Sequence, residues 1–437
     1  MAAMNRCPEP PAGEVETVES EIGSQRRAVA RRWPFLPAGA TVDAATLLEA
    51  RAIRAFADGF VSVLLPLHLT TLGLGNARIG LIVTATLIGS AALTLFLGLV
   101  AFRYGRRALL IRASLLMVAT GLGFAYFDGF WPLLVVSLVG TISPTASDVS
   151  VFLPTEQALL SRTVNASART ALFARYSLVG SLSAAFGALA AALPEVVAGR
   201  TAVSLDRALD AMFVFYALIG LATMTRYRRL SPAIEPAGGP AVRPLGASRG
   251  IVYRLAAVFS LDSFAGGFVV QSLLALWLFE RFDLSVATAG TIFFWSNLLA
   301  AFSQLAAPRL AARIGLINTM VFTHLPANLL LILTPFMPSL WLTVALLLAR
   351  SALSQMDIPA RQSYVMAVVS PEERPAAASV TNVPRSLAAA GSPFLSGYLL
   401  SLTTFGWPLL IGGALKAIYD VLLLVMFQKV RPPEEGS

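Results

Sequence analysis

Apolar runs of about 20 residues, separated by short polar breaks, repeat along almost the whole chain; that length crosses the hydrocarbon core of a bilayer as a helix. Twelve such runs lie near 50–72, 77–101, 106–127, 131–155, 169–193, 209–226, 252–279, 286–307, 315–336, 339–366, 376–402 and 406–428. Several contain Gly or Pro, which helices in lipid tolerate better than helices in water. The pattern predicts an all-α integral membrane protein with twelve transmembrane helices.

Composition agrees. Of the 437 residues, 56% are hydrophobic and 13% charged, whereas soluble domains carry about a quarter charged residues. The net charge of +9 invites a nucleic-acid reading, and its placement argues against one. Arg26, Arg27, Arg31 and Arg32 precede the first run, and Arg103, Arg106, Arg107 and Arg112 lie around the second break. Arg226, Arg228, Arg229, Arg243, Arg249 and Arg254 surround the middle one; Arg309 and Arg313 follow the eighth run, and Lys429 and Arg431 the last. The alternate breaks hold Arg78, Arg200, Arg207 and Arg281. Basic loops stay on the cytoplasmic side. Both termini and the middle loop are therefore expected in the cytoplasm, with the chain in the cell's inner membrane. The single cysteine, Cys7, excludes a disulfide framework. Residues 1–42 lack an apolar segment before a cleavage site and read as a cytoplasmic tail. Residues 232–250, rich in Pro, Gly and Ala, read as a flexible linker.

A repeat organises the runs. LPTEQ (153–157) returns as IPARQ (358–362), an offset of 205 that pairs Pro154 with Pro359, Glu156 with Arg361 and Gln157 with Gln362. RTA (169–171) returns as RPA (374–376), ADGF (57–60) as GGF (266–268), and RYG (103–105) as RIG (313–315). The consistent order predicts two pseudo-symmetric six-helix bundles, 43–228 and 251–428, joined by a linker at 229–250 and flanked by tails 1–42 and 429–437. Like-oriented repeats of this kind are a transporter plan.

GLVAFRYGRRALL (98–110) resembles the loop motif between the second and third helices of the major facilitator superfamily. Gly98, Arg103, Gly105, Arg106 and Arg107 match the motif, and Phe102 stands where the family has an acid that helps latch the halves. The second copy, PRLAARIG (308–315), keeps Leu310, Arg313 and Gly315. The resemblance covers about residues 43–428. It implies a monomeric secondary transporter in the lipid bilayer, moving a small-molecule substrate by alternating access with protons as the drive. By prevalence in the family, export is favoured over import. It also implies that helices one, four, seven and ten line a cavity, while three, six, nine and twelve lie outside. Drug-antiporter signatures are poor: the fifth run has Gly180 and Gly187 without a Gly-Pro element, and the fourth lacks the Arg.

Ionisable residues at membrane depth mark pathways or ion pairs. Asp262 has no basic neighbour within a turn of its own helix, which makes it the first candidate for proton coupling, since an unpaired buried carboxyl favours its neutral form. Asp58 is second. Asp148, Arg175, Gln271, Asn297, Arg350, Asp357 and Arg385 are candidates for the substrate cavity. Arg54 with Asp58, and Lys416 with Asp420, are each four apart and share a helix face. Glu156 and Arg361, at equivalent helix ends, read either as a cytoplasmic gate or as charges snorkelling to water. His68 and His324, the two histidines, read as helix-end or packing residues.

Two other classes compete. A receptor or scaffold that kept the fold and lost transport fits the altered loop motif. An enzyme does not: no metal-ligand cluster, nucleophile–base set or GxxxxGK[ST] loop appears, and no cofactor is implied.

Overall fold

The computed structural model describes residues 35–37, 39–145, 151–164, 166–235, 245–246, 248–370, 373–428 and 430. The described residues are helical, with no strand among them. The helices are α1 (Val42–Thr71), α2 (Asn76–Tyr104), α3 (Arg106–Tyr126), α4 (Phe130–Val139), α5 (Phe152–Leu160), α6 (Ala166–Ala190), α7 (Leu193–Arg200) and α8 (Leu205–Tyr227). After the middle loop come α9 (Arg249–Gly267), α10 (Gln271–Phe282), α11 (Val286–Ile314), α12 (Leu316–Leu333), α13 (Leu340–Ser354), α14 (Asp357–Ala367), α15 (Arg374–Gly391), α16 (Pro393–Leu402) and α17 (Trp407–Phe427).

Among the described residues, nine segments are long and apolar enough to cross a membrane. The runs expected at 131–155, 339–366 and 376–402 are each built from two shorter helices: α4 with α5, α13 with α14, and α15 with α16. The sequence explains the breaks. Pro154 and Pro359 sit in the first turns of α5 and α14, where a missing N–H costs nothing. Pro393 opens α16 directly after Ser392.

Small residues set the closest helix packing, as is usual in lipid. A Cβ on Gly59 of α1 would lie 2.2 Å from the Ala184 carbonyl oxygen of α6. A Cβ on Gly267 of α9 would lie 2.3 Å from that of Ala389 on α15. Gly105 ends α2 and starts α3 with φ 72°, and Gly315 joins α11 to α12 with φ 85°. Both one-residue turns need the left-handed region that glycine enters without strain, so RYG and RIG do the same job.

The arginine-rich breaks around Arg106 and Arg228 come together with the start of α1: Arg107 Nη2 donates to the Arg228 carbonyl at 2.5 Å, and the Ser231 amide donates to Asp43 at 2.9 Å; this end of the bundle is here called the basic end. The first and second parts of the chain meet toward the other end. Asn76 donates to Glu280 at 2.7 Å, the Ala287 amide to Glu195 at 3.1 Å, and the Phe394 amide to Thr84 at 2.9 Å. Gln271 donates to Ser62 at 2.9 Å, and Ser272 Oγ to the Pro144 carbonyl at 3.0 Å. Buried apolar side chains say the same. Leu274, Trp277 and Phe293 belong to one cluster with Phe60, Leu64 and Phe213, whereas Val252, Phe259, Met320, Tyr364 and Phe427 form a separate cluster toward the basic end.

Candidate functional site

Two buried charge clusters occupy the membrane-spanning region. In the first, Arg54 of α1 reaches α5, where its Nη2 lies 2.5 Å from Glu156 Oε2. Tyr227 of α8 donates its hydroxyl to Glu156 Oε1 at 2.5 Å, and Tyr176 of α6 donates to Oε2. Glu156 is 0% exposed. A carboxylate removed from water is costly unless its lone pairs are filled, and here a cation and two hydroxyls fill them. The Arg54 guanidinium also lies 4.3 Å from the centre of the Phe152 ring, one turn before Glu156 on α5.

The second cluster centres on Asp262 of α9. Lys416 Nζ of α17 lies 2.5 Å from Oδ1, and Arg361 Nη1 of α14 lies 3.0 Å from Oδ2. Arg361 also approaches Asp357, one turn earlier, at 3.4 Å. Its guanidinium faces the Phe259 ring at 5.6 Å, and Phe259 precedes Asp262 on α9. Behind this, His324 of α12 places Nε2 4.0 Å from Asp262 Oδ1 and Nδ1 2.9 Å from Asp420 Oδ1. Asn328 donates to Asp420 Oδ2 at 2.8 Å.

These contacts revise the sequence-based pairings. Asp262 is not an unpaired acid: two cations from other helices hold it. Lys416 spans to Asp262, and Asp420 pairs with His324 and Asn328, because the long ammonium stem reaches a deeper acid while Asp420 meets better-placed donors on α12. Arg54 turns to Glu156, with Asp58 within its electrostatic reach. Glu156 and Arg361 do not meet. Each is enclosed by partners of its own part of the chain, and neither is a solvated helix end: both are buried. Tyr176 and Tyr227 were not singled out from sequence; Lys416 was paired there with Asp420, and His324 was read as a helix-end or packing residue. An acid in lipid without a same-helix base requires one from another helix, and that rule points to Lys416 and Arg361.

The remaining candidates are spread. Arg385 of α15 donates from Nε to Ser263 at 3.1 Å and from Nη1 to Asn382 at 3.2 Å. Arg350 of α13 keeps a buried Nε with no acceptor among the described residues, as does Arg175 of α6 at Nη1, whose guanidinium lies 5.7 Å from the Phe35 ring. Asn297 Nδ2 is likewise buried without a partner. Gln271 bridges to Ser62 as described above. Asp148 lies outside the described residues, and so does the side chain of Arg103; Gly98 lies within α2. At the loop motif, the amides of Arg106 and Arg107 both donate to Glu235, at 2.9 and 2.7 Å. This acid arrives from the middle loop and holds the N-terminus of α3, where a carboxylate is favoured by the helix dipole.

Comparison with known proteins places this arrangement. An uncharacterized membrane protein of Saccharomyces cerevisiae, YJR124C, is 24% identical over 410 residues, covering 86% of this chain and 92% of the yeast protein. Among solved structures, the nucleoside transporter NupG superposes with a TM-score of 0.68 at 14% identity, covering 89% of this chain and all of that one. The human organic anion transporter MFSD10 gives 0.62 at 18% identity, over 87% of this chain and 98% of its own. An inward-facing, occupied bacterial homolog of the human lysosomal transporter Spinster gives 0.66 at 15% identity, over 87% and 94%. At such identities the likeness establishes the fold. The sequence profile of the Major Facilitator Superfamily matches residues 50–349 and 255–437. With its helical fold and apolar spans, the chain belongs to the Major Facilitator Superfamily and is a multi-pass membrane transporter.

Proposed function

We propose that the protein is a secondary transporter that moves a small solute by alternating access, uses protons as the drive and works as an exporter. This reading divides the chain into six-helix bundles at 43–228 and 251–428, with a cytoplasmic linker at 229–250 and both termini in the cytoplasm. The observation that carries it is the one-sided closure of the bundle. The hydrogen bonds described between the two parts lie toward the end opposite the basic one. Toward the basic end the second part keeps an apolar core of its own. Among the described residues this one-sided closure supports a carrier open toward its basic end, which this reading puts on the cytoplasmic side.

Asp262 is the coupling carboxylate in this reading, and Asp58 the alternative. Protonation of Asp262 would weaken its hold on Lys416 and Arg361 together and free two cations to change partners. The test is reconstitution into proteoliposomes carrying a trapped pH-sensitive dye, with a solute panel, comparing wild type with Asp262→Asn. The amide fills similar volume and cannot cycle a proton, so gradient-driven accumulation should vanish while solute exchange persists. Full accumulation by Asp262→Asn moves the role to Asp58 or removes it.

A further inference from the structure

Among the described residues, the buried charges of the two clusters are not balanced in kind. Each buried carboxylate of the two clusters is already claimed. Glu156 is held by Arg54, Tyr176 and Tyr227, Asp262 by Lys416 and Arg361, Asp357 by Arg361, and Asp420 by His324 and Asn328. Within these two clusters a cationic solute would have to displace a fixed cation to find an acid.

The cations are in surplus. Around Asp262 and Asp357 stand Arg350, Arg361, Arg385 and Lys416: Arg350 and Arg385 both lie within electrostatic reach of Asp262. Neither makes a described carboxylate contact. Arg385 spends two N–H groups on Ser263 and Asn382, both neutral. Arg350 Nε is buried and has no acceptor among the described residues. Leaving a buried charged donor unmade is expensive, and at Arg385 the like charge of Arg361 adds to the cost. Asn382, which touches Arg385, is exposed on α15. Guanidinium groups bind planar or tetrahedral oxyanions through paired N–H bonds, which ammonium cannot do.

From this we propose that the solute is a small organic anion whose carboxylate or phosphate group is bound by Arg350 and Arg385 beside Asp262. The inference rests on the transporter reading above and names the substrate class of the same site. The anion would supply the acceptor that Arg350 Nε lacks and offset the surplus positive charge. It would also compete with Asp262 for Arg361 and Lys416, so that solute and coupling carboxylate contend for the same cations.

The test is binding to the purified full chain in detergent, by thermal shift and titration calorimetry, with matched probes. Succinate is paired with succinamide, benzoate with benzamide, and phenyl phosphate with benzylammonium. At least one oxyanion should bind about tenfold or more tighter than its uncharged or cationic partner. Arg350→Gln and Arg385→Gln should each weaken that binding about tenfold, and Arg281→Gln, at an exposed helix end, should not. Arg350→Lys and Arg385→Lys keep the charge and lose the fork; they should bind better than the Gln forms and worse than wild type, which separates lost recognition from lost folding. Whether succinate and benzoate or phenyl phosphate responds distinguishes carboxylate from phosphate. Six equal responses, all present or all absent, overturn the proposal, as does preference for benzylammonium. No gradient enters this assay. Anion binding without solute movement in proteoliposomes would therefore sink the transporter reading alone, and transport of a neutral solute with indifference to oxyanions would sink this one alone.

Discussion

Arg54 and Asp262 occupy matching places in the repeated halves of the sequence and carry opposite charge. Asp262 follows Arg54 by 208 residues, as Gly267 follows Gly59, and their partners Glu156 and Arg361 are 205 apart, as are Ala184 and Ala389. The same helix pair in each half is thus tied by an ion pair, with acid and base exchanged. In both, the arginine faces a phenylalanine that precedes the acid on the acid's own helix: Phe152 for Arg54 and Phe259 for Arg361.

The first of these pairs is sealed, so breaking it should be costly and non-additive. Glu156→Gln leaves Arg54 buried without its counter-charge, a loss of about 3–5 kcal/mol for a buried pair. Arg54→Gln should cost a similar amount. The double variant, with two amides facing each other, should lose clearly less than the sum. Thermal unfolding of the four proteins in one detergent gives the cycle, and strict additivity would show that the two side chains do not depend on each other.

The hydroxyls on Glu156 make a second, graded test. Tyr227 donates to a carboxylate, and Tyr216 pairs with Thr141, whose hydroxyl is 3.5 Å away and whose carbonyl accepts at 3.3 Å. Bonds to charged groups contribute about 1.5–3 kcal/mol and neutral ones about 0.5–1.5 kcal/mol. Tyr227→Phe should therefore lower the melting temperature more than Tyr216→Phe at the same change in volume. The reverse order would show that the bond to Glu156 contributes less than the neutral one to Thr141.

Much of this was legible in the sequence, and the failures have physical reasons. Span placement follows from apolar length, and the one-residue turns at Gly105 and Gly315 follow from RYG and RIG. The charge partners were harder. Spacing along one helix suggested Arg54 with Asp58 and Lys416 with Asp420, yet side chains of this length reach across to neighbouring helices, and tertiary packing chose Glu156 and Asp262. Treating helices nine and twelve as peripheral hid His324 and Lys416, whose side chains point inward to Asp262. The split of 376–402 escaped because the apolar run continues through Gly391 and Ser392, and the break lies in Pro393 at the start of α16.

Glu235 offers a test at the altered loop motif. Phe102 has removed the acid usual there, and Glu235 binds the amides of Arg106 and Arg107 instead. Glu235→Gln removes the charge from the α3 N-terminus and should cost about 0.3–2 kcal/mol, the range for a carboxylate at a helix start. Faster hydrogen exchange at 105–109 and at 230–235 is the expected readout. Unchanged exchange would reduce Glu235 to a surface residue resting on the motif.

Orientation is checked by labelling. In a Cys7→Ser background, single cysteines placed within 229–250 should resist an impermeant maleimide in intact cells and react after lysis, because that loop and its borders carry Arg226, Arg228, Arg229, Arg243 and Arg249. Labelling before lysis would invert the topology.

The closed end can be pried open. Gly80 of α2 and Gly397 of α16 are in backbone contact there: a Cβ on Gly80 would lie 2.7 Å from the Pro393 carbonyl oxygen and 2.9 Å from the Gly397 Cα. Neither neighbour is a movable side-chain tip, so Gly80→Val must push α2 away from α16. In a carrier with two states, a penalty on the closed contact of about 1.4 kcal/mol shifts the populations tenfold. Ser272 reports on the same end, being fully buried with its hydroxyl on the Pro144 carbonyl. With Ser272→Cys in the Cys7→Ser background, impermeant maleimide added outside should react slowly. Adding Gly80→Val should raise the rate about tenfold or more. Gly199→Val is the control, since a Cβ there meets nothing within 4 Å, and it should leave the rate unchanged. If Gly80→Val folds in normal yield and Ser272→Cys stays protected, the α2–α16 contact is static packing and does not part during transport.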